Sequence, residues 1–452
     1  MRSTVSFILI LGCAVTASAR EEYKRDFRKS VVLPSGRGLR VESQYGRISI
    51  RTQSKNEVAI QAVIHCSAGA ADEAHRCADR IQIAVEENAK GVSVRTAYPS
   101  ETGRRDLSYA VDYDIAMPDT APLDLWNRYG SADVSNLHAS ATINSGNGSV
   151  SFLNGRGRQH IENTYGMVEV RKNEGDVFIG NSGGPTFAVD ISGAIEITNR
   201  YGEIRVSNAG RGVGIHSNDS NIQVSNAGGP VTISNTFGVV MVSDIRSDLT
   251  VQNESADITA NGIAGKAEIH NTGAAIKFSR IGKTLAVHAT NSIVRGDTVG
   301  ESATIETTYG SVDLSGVKAG ARIATGNSPI HASGIGGELY AKTSFAAITI
   351  GDVGGPLTVE AQNSVVIVDA KSARRCQPVS IRTSYGPIRL TVPPGVGYNL
   401  AAHTTFGGIH TEPTVQTGAG GKIGEGELIG KIGGGGCELR LMDQNGSIDI
   451  LR

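Results

Sequence analysis

Apolar and polar residues alternate along most of this chain in short runs that return at a fixed interval. "NTYGMVEV" begins at Asn163, "NRYGEIRV" at Asn199 and "NTFGVVMV" at Asn235, each 36 residues after the last. The aromatic position of that run falls at Tyr129, Tyr165, Tyr201, Phe237, Tyr309 and Phe345, with Gly273 taking the one intervening place. Midway between lie Asn147, Gly183, Asp219, Ser255, Asn291, Asn327 and Asn363, so the underlying step is 18, held for thirteen units from Tyr129 to Asn363.

Counting the aromatic as position one, positions four and six are apolar, as in Val168 and Val170 or Ile204 and Val206. Positions thirteen and fifteen repeat this, as in Val177 and Ile179 or Ile195 and Ile197. Position nine holds a lone apolar residue such as Ile191, Ile245 or Val317, and Gly or Gly-Gly at ten and eleven marks a bend. Runs with a period of two predict strands with one face buried. A unit this small cannot bury its apolar face alone, so the units must stack. The expectation is an all-β parallel β-solenoid (a β-helix), thirteen turns making a rod roughly 60 Å long at the spacing of paired strands. A complete rung could be 18 or 36 residues; the apolar columns repeat at 18 and favour it.

Composition agrees. Gly numbers 57 of 452 residues, aromatics are 5% and charged residues 19%, which suits many short strands joined by tight turns. A formal charge of −1 provides no basic field for nucleic acid or anionic lipid. Residues 1–19, with Arg2, an apolar run from Val5 to Val15 and the ending Ala17-Ser-Ala19, read as a signal peptide cleaved after Ala19. The competing reading takes "ILGC" as a lipoprotein box with a lipid anchor on Cys13, for which Leu11 is a poor match. No later segment approaches the ~18–20 apolar residues of a transmembrane span.

Outside the repeat the chain divides into residues 20–128, an N-terminal capping segment; 129–410, the solenoid; 411–436, a Gly-rich mobile loop; and 437–452, strands that close the rod. The capping segment holds one isolated copy of the turn, "QYGRISI" from Gln44, and one amphipathic helix within 68–83, whose shared face is Ala71, Ala74, Cys77 and Ile81. The four remaining cysteines favour disulfides in an exported chain. Cys66–Cys77 and Cys376–Cys437 are the pairings that stay within the two ends. His65, Cys66, His75 and Cys77 could instead hold zinc, though their spacing follows no common zinc pattern.

The mature chain resembles the bacterial adhesin β-repeat family. The resemblance rests on the early "YGRISI" turn, the Ala-rich charged helix, "VSVRTAYP", "YDIAMPDTAPLDLWNRYGSADV", the serial Tyr-Gly turns and the closing "QNGSIDI". It implies a secreted or envelope-associated β-solenoid of unknown function, and it carries no catalytic motif.

In a solenoid a functional patch should appear as outward residues 18 apart. At position five Lys277, Arg295, Asp313 and His331 follow one another, the only run of ionisable groups in that column. Such a stripe could bind an anionic sugar or perform acid–base chemistry; a solvated column of compatible charges is the plainer reading. The turn residues Tyr129, Tyr165, Tyr201, Phe237, Tyr309, Phe345 and Tyr385 read as architecture, each ring packed over its turn. The Asn at position seventeen (Asn163, Asn181, Asn199, Asn235, Asn253 and Asn271) reads as a ladder satisfying turn backbone. No cofactor or metal motif stands out. The sequence therefore points to a non-catalytic exported protein, in the periplasm, at the cell surface or outside the cell. Its partner would be an unknown glycan or envelope protein. The alternative is a glycan-active enzyme using the charged stripe.

Overall fold

A computed structural model describes residues 20–99, 107–373, 375–418 and 421–452. The expected signal peptide, residues 1–19, and with it Cys13 lie outside the described residues. Strand follows strand in pairs, and each is hydrogen-bonded in parallel to the strand 18 residues on: Val168–Glu174 lies beside Thr186–Ile191, and Gln159–Tyr165 beside Val177–Gly183. The rung is therefore 18 residues, and the alternation of aromatics at 36 belongs to the turn residue alone. Fifteen such turns succeed one another from Leu123–Tyr129 to Ile388–Thr391. They build two sheets whose inward residues form one continuous apolar core, with Val150, Val168, Ile204, Val240, Ile276, Val312 and Ile348 in a single fully buried column.

Position eight explains why position nine is apolar. Asn136, Asn154, Lys172, Asp190, Asn208, Asn226 and Asp244 all have φ between 54° and 60°, and Arg280, Thr298 and Asp352 continue the column at 51–57°. Gly262, Gly316 and Gly334 fill its other places, also at positive φ. A residue in the left-handed region turns the strand, so the side chain after it points inward when strict alternation would send it out. Ile191, Ile245 and Val317 are buried for this reason. Asn and Asp tolerate that conformation best among residues with a side chain, and here they bond to each other along the rod. Asn154 Nδ2 donates to Asn136 Oδ1 at 2.6 Å and Asn226 Nδ2 to Asn208 Oδ1 at 2.8 Å.

The ends depart from the linear order. Gly38–Tyr45 and Ile48–Gln53 form a complete rung beside Leu123–Tyr129 and Ala132–Ser135, with Leu39, Val41, Ile48 and Ile50 inward. Gly91–Ala97 and Ser108–Pro118 make the rung before it. Much of the segment expected to lie outside the array is thus part of it, out of chain order. The cap proper is the antiparallel pair Glu21–Val32 and Glu57–Ala68 with the helix Ala71–Arg80 packed against both, and Gln82–Asn88 on the other sheet. On the helix Ala74, Cys77 and Ala78 are buried, whereas Ala71 is exposed. The outermost strand carries Lys24, Arg25, Asp26, Arg28 and Lys29, charges that discourage edge pairing with another chain.

At the far end Cys437–Asp443 and Ile448–Leu451 insert between the rung at 379–391 and the strands Tyr398–Thr404 and Ile409–Thr411. They are penultimate rather than terminal. The Gly-rich stretch read as a loop contributes Glu427–Ile432, which runs antiparallel along Tyr398–Thr404 and closes that sheet, with Val415–Gln416 and Lys422–Ile423 beside it.

Candidate interaction surface

Both expected disulfides are present, Cys66–Cys77 tying the helix to its strand and Cys376–Cys437 tying the register slip after Asp369 to the inserted strand. The first takes both sulfurs from the zinc alternative. Its histidines are also engaged elsewhere, His65 Nδ1 at 3.2 Å from Glu22 Oε1 and His75 Nδ1 at 3.2 Å from Asp79 Oδ2. Among the described residues no group of three His, Cys, Asp or Glu is placed to hold a metal.

Lys277, Arg295, Asp313 and His331 stand in direct register on four neighbouring strands and face solvent. Among the described residues no ion pair joins Arg295 to Asp313, so the stripe is a row of separately hydrated charges at strand spacing. The other sheet carries a second ionisable group that sequence reasoning passed over. His270 and His288 stack with ring centroids 4.9 Å apart, His270 Nε2 lies 3.0 Å from Glu268 Oε1, and His288 Nδ1 lies 3.3 Å from Glu306 Oε2. They line a shallow polar groove of about 690 Å³ with Gln252, Glu254 and Thr308. The signal was their 18-residue spacing in an outward column other than the one inspected. All four side chains are well exposed, which makes the group a hydrogen-bonding surface.

The Asn ladder lies inside the turn. Asn181 Nδ2 donates to the Gly166 and Gly184 carbonyls at 3.1 Å each; Asn199, Asn235, Asn253 and Asn271 repeat the bond to the rung before, and Asn235, Asn253 and Asn271 also donate within their own turn. The glycine after each Tyr supplies the positive φ the turn needs: Gly130, Gly166, Gly202 and Gly310 lie between 117° and 135°.

The rings themselves are not buried in the turn; that of Tyr165 leans against Gly183 of the next rung and is otherwise open to solvent. Tyr165 and Phe345 are 60% exposed and Phe406 73%, and Tyr129, Tyr201, Phe237, Tyr309 and Tyr385 are also exposed. The turn closes through the Asn amide and the glycine, leaving the ring outside. Tyr129 lies flat against Tyr45 at 5.3 Å, where the column begins, and Arg128 and Arg200 approach the rings of Tyr129 and Tyr201 at 5.3 and 5.5 Å. From Tyr129 to Phe237 ring and non-ring alternate, Tyr129 beside Asn147, Asn147 beside Tyr165, Tyr165 beside Gly183 and Gly183 beside Tyr201. The rings thus line one long edge of the rod in two runs of four, Tyr129 to Phe237 and Tyr309 to Phe406, about 9.6 Å (two strand spacings) apart within each run, with Gly273 in the ring place between the runs.

No helix among the described residues is long and apolar enough to cross a membrane. No family model and no curated protein matches the chain. Among solved structures it is similar to a candidate cell adhesion protein from Clostridium sporogenes, at 10% identity over 95% of this chain and 99% of that one, with a TM-score of 0.16. So loose a likeness carries no argument.

Proposed function

We propose that the protein is an exported, adhesin-like envelope or surface protein that works by binding, holding a glycan or protein partner along the stiff side of its rod. The observation that carries this reading is the outward register. Equivalent side chains stand at one spacing over fifteen turns, a long surface suited to a repeating or extended partner. Two disulfides fit an oxidising compartment, which supports export. The reading is tested with the chain from residue 20 to 452, presented to cell-envelope fractions and a glycan array. Saturable binding is expected; its absence on every surface would sink the proposal.

The second reading, a glycan-active enzyme, draws on the juxtaposition of Asp313 and His331 on adjacent strands. Asp313→Ala and His331→Ala decide it: a hydrolytic turnover lost in both, with the fold intact, would favour catalysis over binding.

A further inference from the structure

The turn does not require the rings. Asn147, Asp219 and Ser255 occupy the same position on alternate rungs, and their strands pair with the ring-bearing neighbours in the same register. The ring is therefore an addition to a turn that closes without it, and its apolar faces stay largely in water.

The alternation also follows the surface rather than the sequence. Along the chain the 36-residue step fails after Phe345, since the next rings are Tyr385 and Phe406. In space the alternation holds through this stretch. Asn363 stands beside Tyr385, Tyr385 beside Asn445, and Asn445 precedes Phe406 because Thr404 pairs with Asp443. The rung that separates the last two rings comes from later in the chain. Duplication of a 36-residue unit does not produce that order.

We infer that the ring column is a track for an extended β-1,4-linked N-acetylhexosamine polysaccharide, an inference that rests on the partner-binding reading above. At about 9.6 Å within a run the rings are too far apart to stack on one another, which needs centroids within roughly 7 Å, so no ring of a run covers the next and each stays exposed. That distance is close to the disaccharide repeat of an extended β-1,4 chain, in which every second sugar turns the same C–H face to one side. A peptide strand repeats its side chains at about 6.8 Å and would fall out of step within two rings. A partner helix would need a continuous apolar stripe, and here Asn or another small or polar residue interrupts every pair of rings. Those interruptions suit the sugar: Asn147, Asn327, Asn363 and Asn445 place amides between the rings, where they can exchange hydrogen bonds with acetamido groups. One ring binds a sugar weakly, and several in step bind a polymer through effective concentration.

The test uses the chain from residue 20 to 452 and calorimetric titration with N-acetylchito-oligosaccharides of two, four and six sugars, with cellohexaose and maltohexaose for comparison. Affinity should rise with N-acetylchito length. Tyr309→Ala and Phe345→Ala, both at exposed sites, should each weaken hexamer binding roughly 2- to 10-fold, with circular dichroism unchanged. The inference is overturned if the hexamer fails to bind, if the double variant binds it as the parent does, or if cellohexaose or maltohexaose binds as tightly. Envelope fractions separate the two levels. Parent and double variant binding them equally would leave the partner-binding reading standing and remove the ring track; no envelope or glycan binding by the parent would remove both.

Discussion

Thr298 sits in the left-handed region at φ 57°, where a β-branched side chain is rarest, and Gly316 one rung on adopts the same conformation at 64°. Holding a residue with a Cβ there costs about 1–2 kcal/mol. Thr298→Gly removes that strain. It forfeits the Thr298 Oγ1 to Asp297 Oδ1 bond (2.8 Å, exposed), worth about 0.5 kcal/mol, and roughly 0.5 kcal/mol of added unfolded-state entropy. The balance lies between zero and a stabilisation of about 1 kcal/mol. A rod opens locally, so the appropriate measurement is native-state hydrogen exchange of amides in Ser292–Val299 and its two neighbouring strands. Their exchange should stay level or slow, by up to about five-fold. Thr259→Gly, on an outward strand position without positive φ, is the control and should speed exchange around it. Should Thr298→Gly loosen its rung as Thr259→Gly does, the left-handed column is not strained and the account of position eight is wrong.

Three further outcomes follow from the turns and the ends. Gly166→Ala would force φ 117° on alanine and drive its Cβ into the Gly148 carbonyl, so a loss of about 2 kcal/mol or more is expected in chemical denaturation. Asp443 occupies the place of the Asn ladder, buried, with Oδ2 unpartnered, and burial raises its pKa despite hydrogen bonds from the Asn445 and Gln444 backbone. A carboxyl whose folded pKa is raised contributes stability that is full below its ordinary range and is lost as pH rises through the folded value; exchange in Cys437–Leu451 should therefore quicken across that window, and Asp443→Asn should abolish the dependence. Reducing Cys376–Cys437, whose loop of 61 residues corresponds to about 4 kcal/mol, should expose residues 398–451 to protease while the middle of the rod stays resistant.

The middle of the fold was legible because each inward residue must meet its equivalent 18 residues on, so Val168, Val170, Val177 and Ile179 leave a periodic trace. The left-handed column was less so: Asn208 or Asp244 at a strand end looks like polar filler, and only φ shows that it redirects Ile245. The order of the end rungs left no trace. Parallel pairing between Gly38–Tyr45 and Leu123–Tyr129 joins segments far apart in the chain, and period-two alternation states that a strand has a neighbour without saying which. The Asn ladder is legible from its spacing, but how much of each ring stays exposed is not, because the spacing of a Tyr before a turn glycine is the same whether the ring is covered or open. The charged stripe was found from its column; the His270–His288 pair, one column away on the other sheet, needed the same count.

The permuted rungs give the rod a growable middle between two fixed ends. Tyr398–Thr404 has no parallel partner until Cys437–Asp443 exists, and Gly38–Gln53 waits on strands beyond Gly91. Neither end offers a place where another turn could be appended. Length can change only by inserting or deleting whole turns between about Ala141 and Ala361, and only pairs of turns leave the edge rings in step. Deleting one pair of turns, 36 residues, from that stretch should therefore leave a shorter rod with both ends intact.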